Sequence, residues 1–221
     1  MTRRNTIVLL TALVALASFA AAVLLYQHHD RQKAAEQAAA SFNVMVREHS
    51  PVVGPANASV TIVEFFDPAC EACRAFHPYV KHILAAYPKE ARLVIRYVPF
   101  HREPSVAGVQ VLEAARQQNL FEPVMDALME SQPVWASHNN PATERIWGFA
   151  SAAGLDLEKA AAYLKTGAVN KVLEQDMADL QAVGVRATPT FFVNGKPLPE
   201  PDPRRLLKMV EGEVERSRRT R

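Results

Sequence analysis

The sequence predicts an α/β domain, a sheet covered by helices, behind an apolar N-terminal segment. Residues 60–66, Val-Thr-Ile-Val-Glu-Phe-Phe, form a β-type run that stops at Asp67-Pro68. Residues 93–100 form a second such run, closed by Pro99. Far downstream, residues 191–193, the pair Asn194-Gly195 and residues 196–198 read as a hairpin, because Asn-Gly suits the tight turn that joins twisted strands. Between the second run and the hairpin the pattern is helical, and a parallel or mixed sheet needs helices on its faces.

Taken in order, residues 1–6 are a short leader whose arginines, Arg3 and Arg4, precede a nearly unbroken apolar run at 7–26. That run matches the roughly 20 residues a helix needs to cross a bilayer. Positive charge on its N-terminal side places that end in the cytoplasm and the remainder outside. The expected location is therefore a bacterial inner membrane, single-pass, with the rest of the chain in the periplasm or at the cell exterior. Ala15-Leu16-Ala17 fits a signal-peptide cleavage site, so a cleaved periplasmic form is the alternative, but the run continues through Val23-Leu24-Leu25 and favours an uncleaved anchor. Residues 27–50 are polar and alanine-rich without Gly or Pro, which reads as a helical stalk. Ser50-Pro51 marks its end, and the domain is expected at 51–221. It starts with a short strand at 52–53 and a turn at 54–58.

With 221 residues, 49% hydrophobic and 22% charged, the chain holds one ordinary domain plus these extras. A net charge of +2 gives no reason to expect a nucleic-acid partner. The two cysteines, Cys70 and Cys73, are too few for a four-thiolate zinc site, and no histidine follows them as c-type haem attachment requires. Redox chemistry remains, or a two-coordinate soft metal such as Cu(I).

The pair stands in Cys70-Glu71-Ala72-Cys73, directly after Asp67-Pro68. Asp67 as N-cap and Pro68 as first helical residue put both cysteines in the first turn of a helix. Residues three apart are neighbours there, close enough for a disulfide. Cys70, at the positive end of the helix dipole, is expected to be the attacking thiolate and Cys73 the resolving sulfur. Glu64 interrupts an otherwise apolar strand, and a carboxylate there is costly unless paired or protonated. Arg96 on the next strand is a candidate partner. Phe76, Val80 and Leu84 recur at helical spacing, and Pro78 implies a kink. His77 shares the cysteine face, more as a packing or surface residue than as a ligand. Asn119, Pro133, residues 138–141, Gly154 and Gly167 divide the following stretch into helical segments, and the methionines among Phe121, Val124, Met125, Leu128 and Met129 read as helical core. Leu206, Leu207, Val210 and Val214 mark a last amphipathic helix.

Residues 61–66 before the C-x-x-C, with Ala-Thr-Pro-Thr-Phe-Phe-Val-Asn-Gly at 187–195, resemble the DsbA-like branch of the thioredoxin superfamily, from about residue 52 to the C-terminal helix. The resemblance implies a thioredoxin-like fold with a helical insertion at about 104–183 bordering a substrate groove. It implies a thiol-disulfide oxidoreductase whose redox-active disulfide is Cys70-Cys73, without another cofactor. Glu64 then lies beneath the active site and assists proton transfer to the buried sulfur. Pro189 is cis and exposes the backbone of Thr188 to a bound polypeptide. The implied partners are exported cysteine-containing proteins and a membrane or periplasmic redox partner that recycles the pair. The dipeptide Glu71-Ala72 departs from the histidine-containing dipeptide of the best-known oxidases. A carboxylate beside the thiolate leads to an expected Cys70 pKa toward the upper part of the roughly 3.5–7.5 range of activated cysteines. Net oxidase, reductase and isomerase directions are not separable on these residues.

Overall fold

The computed structural model describes residues 44–220 and, upstream, only Phe19, Tyr26 and His29. The chain divides into a unit Met1–Ser41 and a unit Phe42–Arg221, and the second carries the fold. The leader at 1–6, the apolar segment at 7–26 and the stalk up to residue 43 lie, those three positions apart, outside the described residues. Among the described residues, no helix is long and apolar enough to cross a membrane.

Five strands form one sheet: β1 (Val52–Val53), β2 (Val60–Phe66), β3 (Ala91–Tyr97), β4 (Thr190–Val193) and β5 (Lys196–Pro197), in the order β1-β3-β2-β4-β5. β2 and β3 are parallel, with Val60 opposite Ala91 and Phe66 opposite Tyr97; the other pairs are antiparallel. A parallel pair needs a crossover, and helix α1 (Glu71–Ala86) supplies it. α1 stays helical through Pro78. All seven residues of β2 are buried, as its central place demands. Asn194 and Gly195 both take positive φ, 48° and 77°, the geometry that matches a two-residue turn to the twist of β4 and β5.

Side chains alternate across a strand, so the sheet has two distinct faces. Ile62, Phe66, Ile95, Tyr97 and Phe191 share a core with Cys73, Phe76, Val80 and Ile83 of α1 and with Leu206, Val210 and Val214 of helix α7 (Pro203–Arg219). Val63, Phe65, Val94 and Phe192 face the other way, onto Met45, Leu180 and Val185. Between β3 and β4 run α2 (Glu103–Gln117), α3 (Phe121–Trp135), a 3-10 turn (Thr143–Arg145), α4 (Ile146–Ala152), α5 (Leu157–Leu164) and α6 (Ala168–Val183). The first helices of this stretch build a cap around Leu112, Val124, Leu128, Trp135 and Ile146.

Four sequence expectations are corrected. Pro133 does not divide a helix: α3 runs on to Trp135, whose indole N–H donates to Leu128 O at 2.9 Å and ties the last turn to the one before. The insertion does not act as a single cap up to residue 183, because α6 crosses to the second sheet face, where Leu180 packs. The domain does not begin at Ser50-Pro51 either. Met45 and Ser50 are buried, and Arg47 pairs with Asp179 of α6 at 2.7 Å while His49 Nε2 lies 2.6 Å from Asp176. Finally, Arg96 does not pair with Glu64. The register puts Glu64 opposite Ile95 and Phe65 opposite Arg96, so the two charges point to opposite faces.

Arg96 instead sits, fully buried, between Asp176 and Asp179, 2.7 Å from each, and donates to Val44 O. Burial opposes the charge on Asp179, but hydrogen bonds from Arg47 and Arg96 outweigh it and hold its pKa at about 2. That pKa is depressed from the unfolded value of 3.8, so the stabilisation is present above pH 3.8 and is lost as pH falls through about 2. Replacing Arg96 by Leu strands the buried carboxylates. Urea unfolding at neutral pH should show a loss of about 3–5 kcal/mol, with a smaller further loss on acidification than in the parent. A loss below about 1 kcal/mol contradicts this account.

Candidate active site

Strand β2 does not run straight into α1. Asp67-Pro68-Ala69-Cys70 form a β-turn in which Cys70 N–H donates to Asp67 O at 3.1 Å and Ala69 N–H donates to the Asp67 carboxylate at 2.9 Å. Asp at the first and Pro at the second position are what such a turn prefers. The helix therefore starts later than the sequence suggested: Cys70, not Asp67, is the N-cap, and Glu71 is the first helical residue. Cys70 keeps extended backbone angles, φ −79° and ψ 121°, makes no side-chain cap hydrogen bond, and has the amides of Ala72 and Cys73 near enough to favour negative charge on its sulfur.

The two sulfurs are unequal. Cys70 is 7% exposed and Cys73 is wholly buried one helical step inward. In this reduced pair, the Cys73 thiol hydrogen-bonds to Cys70, the largest influence on it. Partial burial works against the Cys70 thiolate, but the Thr188 hydroxyl and the amides of Cys73 and Ala72 add to the Cys73 bond, and the pKa falls to about 5. Cys73 is pushed the other way, by burial first, then by its bond to Cys70 and by the charge of Glu64.

Glu64 is 2% exposed, and burial together with the nearby Cys70 raises its pKa to about 8. Its charge is coupled to both sulfurs, raised itself by Cys70 and raising Cys73 in turn, which makes it the candidate to exchange a proton with Cys73. The Thr188–Pro189 bond is cis, and the Thr188 carbonyl lies 3.4 Å from Cys70 Sγ. Pro189 is buried behind it. The structure thus brings together Cys70, Cys73, Glu64, Thr188 and Pro189. Glu71 and Ala72 sit on the exposed side of the first turn. Ala72 contributes its amide, whereas the Glu71 carboxylate is not among the leading influences on Cys70. A pKa of about 5 lies within the range of activated cysteines. His77 is engaged elsewhere: its Nε2 lies 2.7 Å from Asp126 of α3, an inter-helix contact shared with Lys81.

Gln132 escaped the sequence reading, and Asp67, expected there as an N-cap, has a different set of partners. Gln132 of α3 is 1% exposed; its Nε2 donates to Pro68 O at 2.8 Å and Cys70 O at 3.0 Å, and its Oε1 accepts from Arg74 Nε at 3.2 Å. A polar residue on the apolar stripe of Val124, Leu128 and Trp135 was the available signal. Asp67, fully buried, accepts from the amides of Phe100 and His101 and lies 2.6 Å from His101 Nδ1. Gly108 of α2 completes the clamp, since a Cβ there would come within 2.4 Å of Pro68. The cap thus holds the turn that carries the more accessible of the two sulfurs.

Titration of the reduced protein at 240 nm should give a thiolate midpoint near 5. Because this pKa lies below its unfolded value of 9, the stabilisation is present above pH 9 and is lost as pH falls through about 5, so the reduced form loses stability relative to the oxidised one on acidification. Replacing Gln132 by Leu frees the turn and should move the midpoint up by about one unit; an unmoved midpoint shows that Gln132 does not position the sulfur.

Comparison with known proteins agrees with this geometry. Residues 46–211 match the family described as Thioredoxin. A thioredoxin-like oxidoreductase from Silicibacter pomeroyi DSS-3 is 30% identical, with a TM-score of 0.66 over 78% of this chain and 94% of that one. The thiol-disulfide exchange protein alpha-DsbA2 from Wolbachia pipientis, 18% identical, shares the fold at a TM-score of 0.68 over 83% of this chain and 97% of that one. Among curated proteins, a Na(+)/H(+) antiporter NhaA from Herminiimonas arsenicoxydans is 34% identical over 145 residues, 66% of this chain but only 22% of that protein. The chain thus spans about a fifth of the length of such relatives. On the family match and the fold, the chain belongs to the thioredoxin family and has the architecture of its DsbA-like members.

Proposed function

We propose that the protein is a membrane-anchored thiol-disulfide oxidoreductase that exchanges disulfides with exported cysteine-containing proteins through Cys70 and Cys73, on the periplasmic or outer side of a bacterial inner membrane. The observation that carries the chemistry is the inequality of the sulfurs: Cys70, the less buried, has a depressed pKa and lies 3.4 Å from the Thr188 carbonyl, whereas Cys73 is wholly buried with a raised pKa and feels the charge of Glu64. The location rests on the apolar run at 7–26 and its flanking arginines.

In the oxidising direction a client thiolate attacks Cys70 Sγ of the disulfide and Cys73 leaves as a thiolate. Glu64, protonated at neutral pH by virtue of its raised pKa, gives Cys73 a proton. The client's second thiolate then attacks its own sulfur in the mixed disulfide, and Cys70 departs as the stabilised thiolate. The electron pair has passed from client to enzyme. In reverse, the Cys70 thiolate attacks a client disulfide; in the mixed disulfide Cys70 no longer carries the charge that helps keep Glu64 protonated, the ionised Glu64 accepts the Cys73 proton, and Cys73 displaces the reduced client. Lowering the Cys70 pKa from 9 to about 5 stabilises the reduced enzyme and favours the oxidising direction. A membrane or periplasmic redox partner then withdraws the electrons and restores the disulfide.

Replacing Cys73 by Ser should trap mixed disulfides with exported proteins through Cys70, visible as reducible high-mass adducts, and replacing Cys70 as well should abolish them. A protein that uses its thiolates only to carry Cu(I) yields no such adducts. Glu64→Gln should slow the step that consumes or releases the Cys73 proton about 100-fold in stopped-flow measurements while leaving formation of the first mixed disulfide by reduced enzyme nearly unchanged. Equal slowing of both steps rules out the assigned role.

A further inference from the structure

A cleft of about 530 Å³ adjoins the nucleophile through Ala69, the residue before Cys70, and it is separate from the groove lined by Thr188 and Pro189. Its walls come from the loop after β3 and from the segment after α3, and they include Phe100, His101, Arg102 and His138. Phe100 is 41% exposed and offers an apolar surface. The His101 and His138 rings stand with centroids 5.5 Å apart. His101 is held through Nδ1 by the buried Asp67, which leaves Nε2 as its free hydrogen-bonding atom.

Arg102 sets the chemistry of the cleft. Its guanidinium is exposed and, among the described residues, has neither a hydrogen-bond acceptor nor an ionic partner, whereas Arg47, Arg96 and Arg116 are all paired with carboxylates. Its backbone has φ 60° and ψ −126°, a conformation that suits glycine and costs any other residue. Glu103, the one carboxylate among the described residues lining the cleft, already accepts the Thr143 hydroxyl at 3.1 Å. An uncommitted cation therefore lines a cleft of apolar and imidazole surface that reaches the residue next to the reacting cysteine.

Resting on the exchange reading above, we propose that this cleft is a client-recognition subsite that takes an acidic side chain, glutamate or aspartate, close in sequence to the client's reacting cysteine. The apolar stem lies along Phe100, and the carboxylate meets Arg102. Asp67 and His101 act as positioning residues for the wall.

The test uses the full chain in detergent at low ionic strength and dithiol peptides carrying Glu, Gln or Lys in turn at each position flanking the cysteine. At one of these positions the Glu peptide should be oxidised with a kcat/KM about fivefold above that of the Lys peptide, the scale of one exposed ion pair, and added salt should erase the difference. Arg102→Gly keeps a residue suited to φ 60° and should bring the ratio to about one, and R102E should invert it. Continued exchange with an unchanged Glu-to-Lys ratio in the Arg102→Gly protein overturns the subsite alone. Absence of exchange with all of the peptides overturns the exchange reading and the subsite with it.

Discussion

The local constraint on which the chemistry depends is the β-turn between β2 and α1. Had the chain passed from strand to helix without it, both cysteines would lie inside a regular first turn and differ little. Because Asp67 to Cys70 close a turn first, Cys70 becomes the residue just outside the helix, and its side chain lies against the amides that a cap satisfies. Cys73 then falls one step inside, under the cap and over the sheet. One backbone hydrogen bond, from Cys70 N–H to Asp67 O, thus helps to decide which sulfur has the depressed pKa and which is the more deeply buried. The cap reinforces that decision through Gln132 and the close approach of Gly108 to Pro68.

The two faces of the sheet divide the buried charges by function. Glu64 looks toward α1 and the sulfurs, without a cationic partner among the described residues, and its pKa is raised by burial. One residue out of phase, Arg96 looks toward α6 and is saturated by Asp176, Asp179 and the Val44 carbonyl. If Arg96 faced Glu64, the carboxylate would be a paired anion unable to accept or give a proton near neutral pH. The same arginine on the opposite face serves the packing of α6 instead.

Much of this was legible in the residues. β2 was bounded correctly by its apolar run and the Asp-Pro that ends it, and the Asn194-Gly195 hairpin followed from turn chemistry alone. Cys70, Cys73, Glu64, Thr188 and Pro189 converge in one place, four of them at strand ends or helix starts where local rules are strong. What the sequence could not supply was the phase between strands: Glu64 and Arg96 are both polar residues in central strands, and only the register shows that they never meet. Gln132 was hidden for a related reason, since its partners are backbone carbonyls 62 and 64 residues earlier in the chain. Pro133 misled because the single N–H bond it removes does not end a helix whose last turn is buried, and Trp135 adds a tie across that turn.

The segment at 44–50 carries a consequence for how this domain can be cut from its surroundings. It is a wedge bolted to α6 by Arg47 and His49, and its Val44 carbonyl closes the shell around Arg96. A protease that nicks the chain just ahead of residue 44 releases a particle with that shell whole, whereas one that nicks at Pro51 removes an arginine, an imidazole and a carbonyl from around three buried charges. The released fragment then lets water onto the back of the sheet while its sulfurs, on the opposite side, still look intact.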